Sequence, residues 1–133
     1  MATSTKEQPR QTLEQLRAQD AWDKAGDGIA RHGKDYVNDA KGLPALIMNS
    51  GLMQVVAYLQ DKGGRHDTLG QHLRQWLRRR FPQQITGDDF PSFMQSLLKM
   101  KEPGDYQAIT AEAFAWLRWL RQMAAARNGD NNA

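Results

Sequence analysis

Three histidines, His32, His66 and His72, and one adjacent acidic pair, Asp88-Asp89, are the side chains whose types could ligate a metal or move a proton. Their spacing argues against both. His66 and His72 stand six residues apart, whereas two ligands on one helix face need three or four. Each histidine is therefore expected at the surface or at its boundary. Asp88-Asp89 suits the cap of a helix. Gly63-Gly64 is a turn without a phosphate-binding loop around it. Asn49-Ser50-Gly51 lacks the strand–turn–helix setting of a nucleophile elbow. No catalytic residue, metal site or cofactor is expected, and a small hydrolase would need a cluster that this sequence does not display.

The chemistry that does recur is cationic. Arg10, Arg17, Lys24 and Arg31 repeat every seventh residue. That period drifts only about 20° on a straight helix, so they make a stripe. From Arg17 to Arg31 the stripe spans roughly 21 Å, long enough for several phosphates. Glu14, Asp20 and Asp27 lie three or four residues away and can pair with it. The run "RQWLRRRF" at 74–81 is the densest basic stretch. Trp76 shares a face with Leu69, Leu73 and Leu77 and reads as core. Arg74 and Arg78 occupy the opposite face, with Arg79 and Arg80 at its end, where cations also suit the helix dipole. Arg17, Lys24, Arg31, Arg74, Arg78, Arg79 and Arg80 are thus the candidates for contact with a nucleic-acid backbone. In the last apolar segment, Phe114, Trp116, Leu117, Trp119, Leu120 and Met123 wrap beyond one stripe. Trp116 and Trp119, with Arg118 and Arg121, are the candidates for a subunit interface, where tryptophan and arginine are favoured anchors.

The elements that must position these residues read as helices. Thr12 and Gln15 form a capping box, opening a helix to about Ala40 with a kink near Gly26, Gly28 and Gly33. Gly42-Leu43-Pro44 starts a second, to about Gln60, because proline is tolerated in a first turn. Its apolar residues point almost all round, so it is expected to be buried. Its period stays in phase across Gly51, which is read as a notch in a continuous helix. A third runs from Thr68 to Arg80. A fourth begins at Asp88 or Asp89 with Pro91 in its first turn and ends near Met100. A fifth runs from Thr110 to about Arg127. No segment alternates apolar and polar with period two. The fold class is all-α, a compact bundle of about five to six helices without a sheet.

Length and composition agree. The 133 residues fit one domain, placed at 12–127, with tails at 1–11 and 128–133. Hydrophobic residues are 40% of the chain and charged residues 25%. That balance suits a folded chain. There is no cysteine, which excludes a disulfide framework and fits a reducing cytoplasm. No apolar run of about 18 residues spans a membrane, and the first ten residues contain no secretory signal. Of 18 Lys/Arg and 15 Asp/Glu, residues 1–64 hold eight of each, and residues 65–133 hold ten and seven, so the second half supplies the whole +3.

Two segments, "LPALIMNSGLMQVVAYLQDK" and "YQAITAEAFAWLRWLRQMAAA", resemble the small helical subunit of the type III-B CRISPR effector, the Cmr complex (subunit 5 family). The residues that carry the resemblance are Ile47, Gly51, Leu52, Trp76, Tyr106, Thr110, Glu112, Ala113 and Trp119, in order over about residues 12–126. The resemblance implies a non-catalytic bundle within a multi-subunit ribonucleoprotein that uses a guide RNA to bind complementary viral RNA. It implies copies stacked into a short filament beside the backbone subunits, touching the large subunit, with basic surface facing the guide–target RNA duplex. Target cleavage would belong to the backbone subunits. Sequence would be read by guide pairing, so contact with the RNA backbone is all this chain need offer. The alternative is a DNA-binding helical regulator, which would need a recognition helix. The helix ending in Arg80 is the one candidate, and its first turn lacks an outward base-reading set.

Overall fold

The computed structural model describes residues 10–132, with side chains to Gly129. Residues 1–9 of the expected N-terminal tail and residue 133 lie outside the described residues. Six helices and no strand are present among the described residues: α1 Leu13–His32, α2 Lys34–Ser50, α3 Leu52–Lys62, α4 Gly64–Arg80, α5 Phe90–Leu98 and α6 Pro103–Asn132. The all-α bundle read from the sequence is the fold observed.

Local signals placed several ends correctly. Thr12 caps α1: its Oγ1 accepts from the Gln15 amide at 3.1 Å, and Gln15 Oε1 accepts from the Thr12 amide at 2.7 Å. This is the reciprocal capping box, which satisfies two amides that the helix itself cannot. Asp89 caps α5 by accepting from the Ser92 amide at 3.1 Å, with Pro91 in the first turn. Proline there gives up no helical hydrogen bond.

Other expectations are corrected. The helix expected over 12–40 ends at His32, because Gly33 takes φ +61. That left-handed value, easy for glycine, stops α1 and starts α2. Gly26 and Gly28 stay helical and serve as clearances: a Cβ at Gly28 would stand 2.5 Å from the Tyr36 ring, and one at Gly26 would strike the Arg127 guanidinium. Pro44 lies inside α2, not at its start. Tyr36, Val37, Ala40, Leu43 and Ile47 form a continuous buried stripe through it. Several buried apolar side chains at about 1.5–3 kcal/mol each outweigh the roughly 3 kcal/mol cost of an internal proline. The Gly51 notch is likewise overturned. Gly51 has φ +86 and ψ 158, ends α2 with its amide on Ile47 O at 2.8 Å, and has no atom closer than 4.0 Å to the place of a Cβ. The chain breaks there and α3 begins anew. Tyr106 on α6 supports that start, its hydroxyl accepting from the Met53 amide at 3.2 Å. The first amides of a helix have no partner within it, so an outside acceptor is needed. Splitting the segment also exposes what one buried helix would have hidden: Met48 is 76% exposed, and Leu46 and Tyr58 are exposed too.

The helix starts read at Thr68 and Thr110 are corrected. Thr68 sits one turn inside α4, and Thr110 two turns inside α6, which starts at Pro103 and continues through residues 128–132, expected as a tail. One core cluster draws buried residues from all six helices, with Trp76, Trp116, Tyr36 and Phe93 its largest fully buried members. α6 packs along both α1 and α2, and α4 packs on α1, α2 and α3. The seam of α1, α4 and α6 positions most of the cationic candidates.

Candidate nucleic-acid interface

Two acidic residues are buried at the seam, Glu112 on α6 and Asp20 on α1. Arg17 grips Glu112 as a fork, Nε donating to Oε2 at 2.7 Å and Nη2 to Oε1 at 2.8 Å. Two parallel charge-assisted bonds of this kind fix geometry as well as adding energy. Trp76 donates its indole N–H to the same Oε2 at 3.0 Å, and Arg80 Nε stands 3.6 Å from Oε1. Asp20 repeats the arrangement. Trp116 donates its indole N–H to Oδ2 at 2.8 Å, Lys24 Nζ donates to Oδ1 at 2.9 Å, and Arg79 Nη1 lies 3.8 Å away. Burial by itself would raise the Glu112 carboxyl. Hydrogen bonds from Arg17 and Trp76, with the charges of Arg17 and Arg80, hold it below the usual carboxylate range. They do so by favouring the ionised form. The Glu112 hydrogen bond in turn raises the Arg17 guanidinium.

Four cations therefore stand over two carboxylates, a surplus of two positive charges. The innermost pairs close the seam and the outermost reach water. Side-chain exposure rises from 18% at Lys24 and 23% at Arg17 to 34% at Arg80 and 57% at Arg79. Arg79 also lies over the Trp76 ring, 5.5 Å from its centroid, within the reach of a cation–π attraction. Arg31, half exposed, pairs with Asp27 at 3.3 Å. Arg78 is exposed and donates to the Thr86 carbonyl at 3.4 Å.

The seven backbone-binding candidates thus divide. Arg31, Arg78, Arg79 and Arg80 present charge to solvent, and Arg17 and Lys24 act mainly as the foundation beneath them. Arg74 is corrected: it is buried, its Nε donates to the Asp88 carbonyl at 2.8 Å, and burial depresses its guanidinium against the pull of Asp67, Asp88 and Asp89. It secures the loop before α5, and burial keeps its guanidinium, whose Nη1 has no partner among the described residues, from the surface. Of the interface candidates, Trp116 is corrected in the same way, fully buried with its N–H spent on Asp20. Trp119 is half-buried against the core. Arg118 and Arg121 are exposed and pair with no acid among the described residues.

His72 corrects the expectation that the histidines lie at the surface or boundary. It is buried on α4, with Nδ1 2.7 Å from the Tyr36 hydroxyl and Nε2 2.8 Å from Asp27 Oδ2. Burial lowers its pKa, with Asp27 opposing. The neutral ring, favoured by desolvation, then donates to Asp27 and accepts from Tyr36. The Tyr36 hydroxyl is pushed up by burial and by the nearby Asp27 and Asp20 charges. These bonds tie α1, α2 and α4, and both ring nitrogens are spent, so the arrangement is a joint and not a base aimed at a substrate. Among the described residues no group of three His, Cys, Asp or Glu side chains could hold a metal ion, and no helix is long and apolar enough to cross a membrane.

The intrahelical pairing of the stripe with Asp20 and Asp27 forms as read. Sequence reasoning missed Glu112 and Tyr36 as partners, and the bonds of Asp20 to Trp116 and of Asp27 to His72. Arg17 and Glu112 are 95 residues apart, and no local spacing announces such a pair.

The profile of the family described as CRISPR-associated protein (Cas_Cmr5) matches residues 13–127, and the chain belongs to that family. The fold is similar to the X-ray crystal structure of a CRISPR-associated Cmr5 family protein from Thermus thermophilus. The likeness has a TM-score of 0.72 and 26% identity, and covers 88% of this chain and 97% of that one. No curated protein matches the chain. Several residues that carried the family resemblance are structural joints: Gly51 is the α2–α3 break, Tyr106 supports α3, and Trp76 with Glu112 closes the seam.

Proposed function

We propose that this chain is the non-catalytic small subunit of a type III-B CRISPR ribonucleoprotein, acting in the cytoplasm in RNA-guided defence against foreign RNA. Copies stack beside the backbone subunits and contact the large subunit, and the α1–α4–α6 seam faces the guide–target duplex. Family membership supports a place in a Cmr complex. The observation that carries RNA contact is the surplus of cations over Asp20 and Glu112, with Arg79 the most exposed of the four. Fixed on buried anchors, these side chains lose little further freedom when a phosphate arrives, and Arg presents a planar fork to it. No base-reading side chain is required, because guide pairing supplies sequence recognition.

The test is RNA binding by the full chain at several salt concentrations. Replacing Arg78, Arg79 and Arg80 together with Ala should lower the salt slope by about 2, three phosphates at about 0.7 each on a single strand. An unchanged affinity and slope would remove the seam from the proposal. Recovering the chain from its own cells as a lone monomer, free of RNA and other subunits, would remove the complex. A footprint on one defined DNA duplex would favour the DNA-binding regulator instead.

A further inference from the structure

The arginine end of α4 does not stop at the seam. Arg78 holds the Thr86 carbonyl at 3.4 Å, and Thr86 forms one rim of an open cleft of about 630 Å³ between α5 and the start of α6. Thr86 is fixed there by Ser96, whose hydroxyl accepts the Thr86 amide at 3.1 Å and donates to the Ser92 carbonyl at 2.9 Å. Lys99 and Lys101, both exposed, line the cleft and form no ion pair among the described residues. The side chains of Gln84 and Gln95 line it too, both exposed, and Ser92 is held by Asp89 at the start of α5. Met100 contributes an apolar patch, and Glu102 and Asp105 form the acidic part of the lining.

We propose that this cleft is a second RNA-backbone site, carrying a single strand onward from the arginine end of α4. It rests on the RNA reading above and names residues that reading does not use. Its chemistry suits a ribose-phosphate chain in three ways. Two free ammonium groups meet phosphates. The exposed amides of Gln84 and Gln95 meet 2′-hydroxyls and base edges. Glu102 and Asp105 repel phosphates, which leaves the lysines as the strand's contacts. Continuity with Arg78 is what favours a polyanion over a polypeptide, because a strand leaving the arginines meets Thr86 next.

The test compares the full wild-type chain with Lys99→Ala/Lys101→Ala. Both lysines are exposed and unpaired, so helicity by circular dichroism should not change. With an unstructured polyuridine oligonucleotide, the double variant should lower the salt slope by about 1.4, two phosphates at about 0.7 each. In ¹⁵N-labelled protein the amides of Thr86, Ser96 and Lys101 should shift as the oligonucleotide is added. If the arginine triple variant weakens binding but the lysine pair changes neither slope nor shifts, this cleft is overturned and the seam stands. If the wild-type chain shows neither affinity nor shifts, both fall. Cleft amides that move only with a partner polypeptide would assign the cleft to a protein and overturn the RNA site.

Discussion

The carboxylate seam and the His72 joint both pin α1 to α4, yet they solve opposite electrostatic problems. At the seam the buried groups are carboxylates within reach of cations. Each carboxylate collects an indole N–H and two cations, and the cations outnumber the acids. At His72 the buried group is neutral, and one tyrosine and one aspartate use up both ring nitrogens. A buried anion has to be surrounded by donors, and the outer donors then remain available to other anions. A buried neutral ring needs two partners and leaves nothing over. The difference separates a surface that can bind from a joint that can only hold.

The largest test of this contrast is Glu112→Ala. It strands Arg17 and the Trp76 indole, and removing one member of a buried pair costs about 3–5 kcal/mol. Urea unfolding should show that loss, and Glu112→Gln should recover part of it by keeping an acceptor for the indole. If Glu112→Ala unfolds no more easily than wild type, the seam is not a foundation. Next comes His72→Leu, which leaves the Tyr36 hydroxyl and Asp27 each short of a partner, at about 1–3 kcal/mol. Adding Tyr36→Phe should restore part of that loss, a non-additivity that marks a shared network.

The third prediction concerns pH. His72 is held neutral in the fold by burial. Below the ordinary histidine value of about 6.5, the unfolded chain therefore takes up a proton that the folded chain refuses. Stability should fall as pH drops through that window, by at most about 1.36 kcal/mol per unit. Glu112 behaves otherwise, because its carboxyl is depressed in the fold. Its contribution is complete above about pH 4.3 and is lost only in stronger acid. A stability curve flat between pH 7 and 5 in wild type, or unchanged by His72→Leu, would end the neutral-joint account. The smallest structural effect is expected for Arg79→Ala. Its guanidinium is more than half exposed, and such pairs contribute about 0–1 kcal/mol. It should leave unfolding nearly unchanged while weakening RNA binding, the reverse of Glu112→Ala.

Much of this was legible along the chain. The caps at Thr12 and Asp89, the absence of strand patterning and the core face of Trp76 follow from neighbours within four residues. The Gly51 region misled because helical phase persisted across a break, and periodicity reports which face is apolar without reporting the backbone angle. The cationic stripe was visible, but its division into foundation and surface was not. Arg17 and Arg31 are alike in sequence, and only the arrival of Glu112 beside one of them makes the difference.

The sequence by itself therefore determined the helical class, most helix faces, the cationic candidates and the family to which the motifs point, because these depend on local spacing and composition. Tertiary structure decided where the helices break, that Trp116, Arg74 and His72 are buried, and which arginines still reach solvent. Burial and ion pairing are set by whichever residue lies opposite in space, and for Trp116 that residue is 96 positions away.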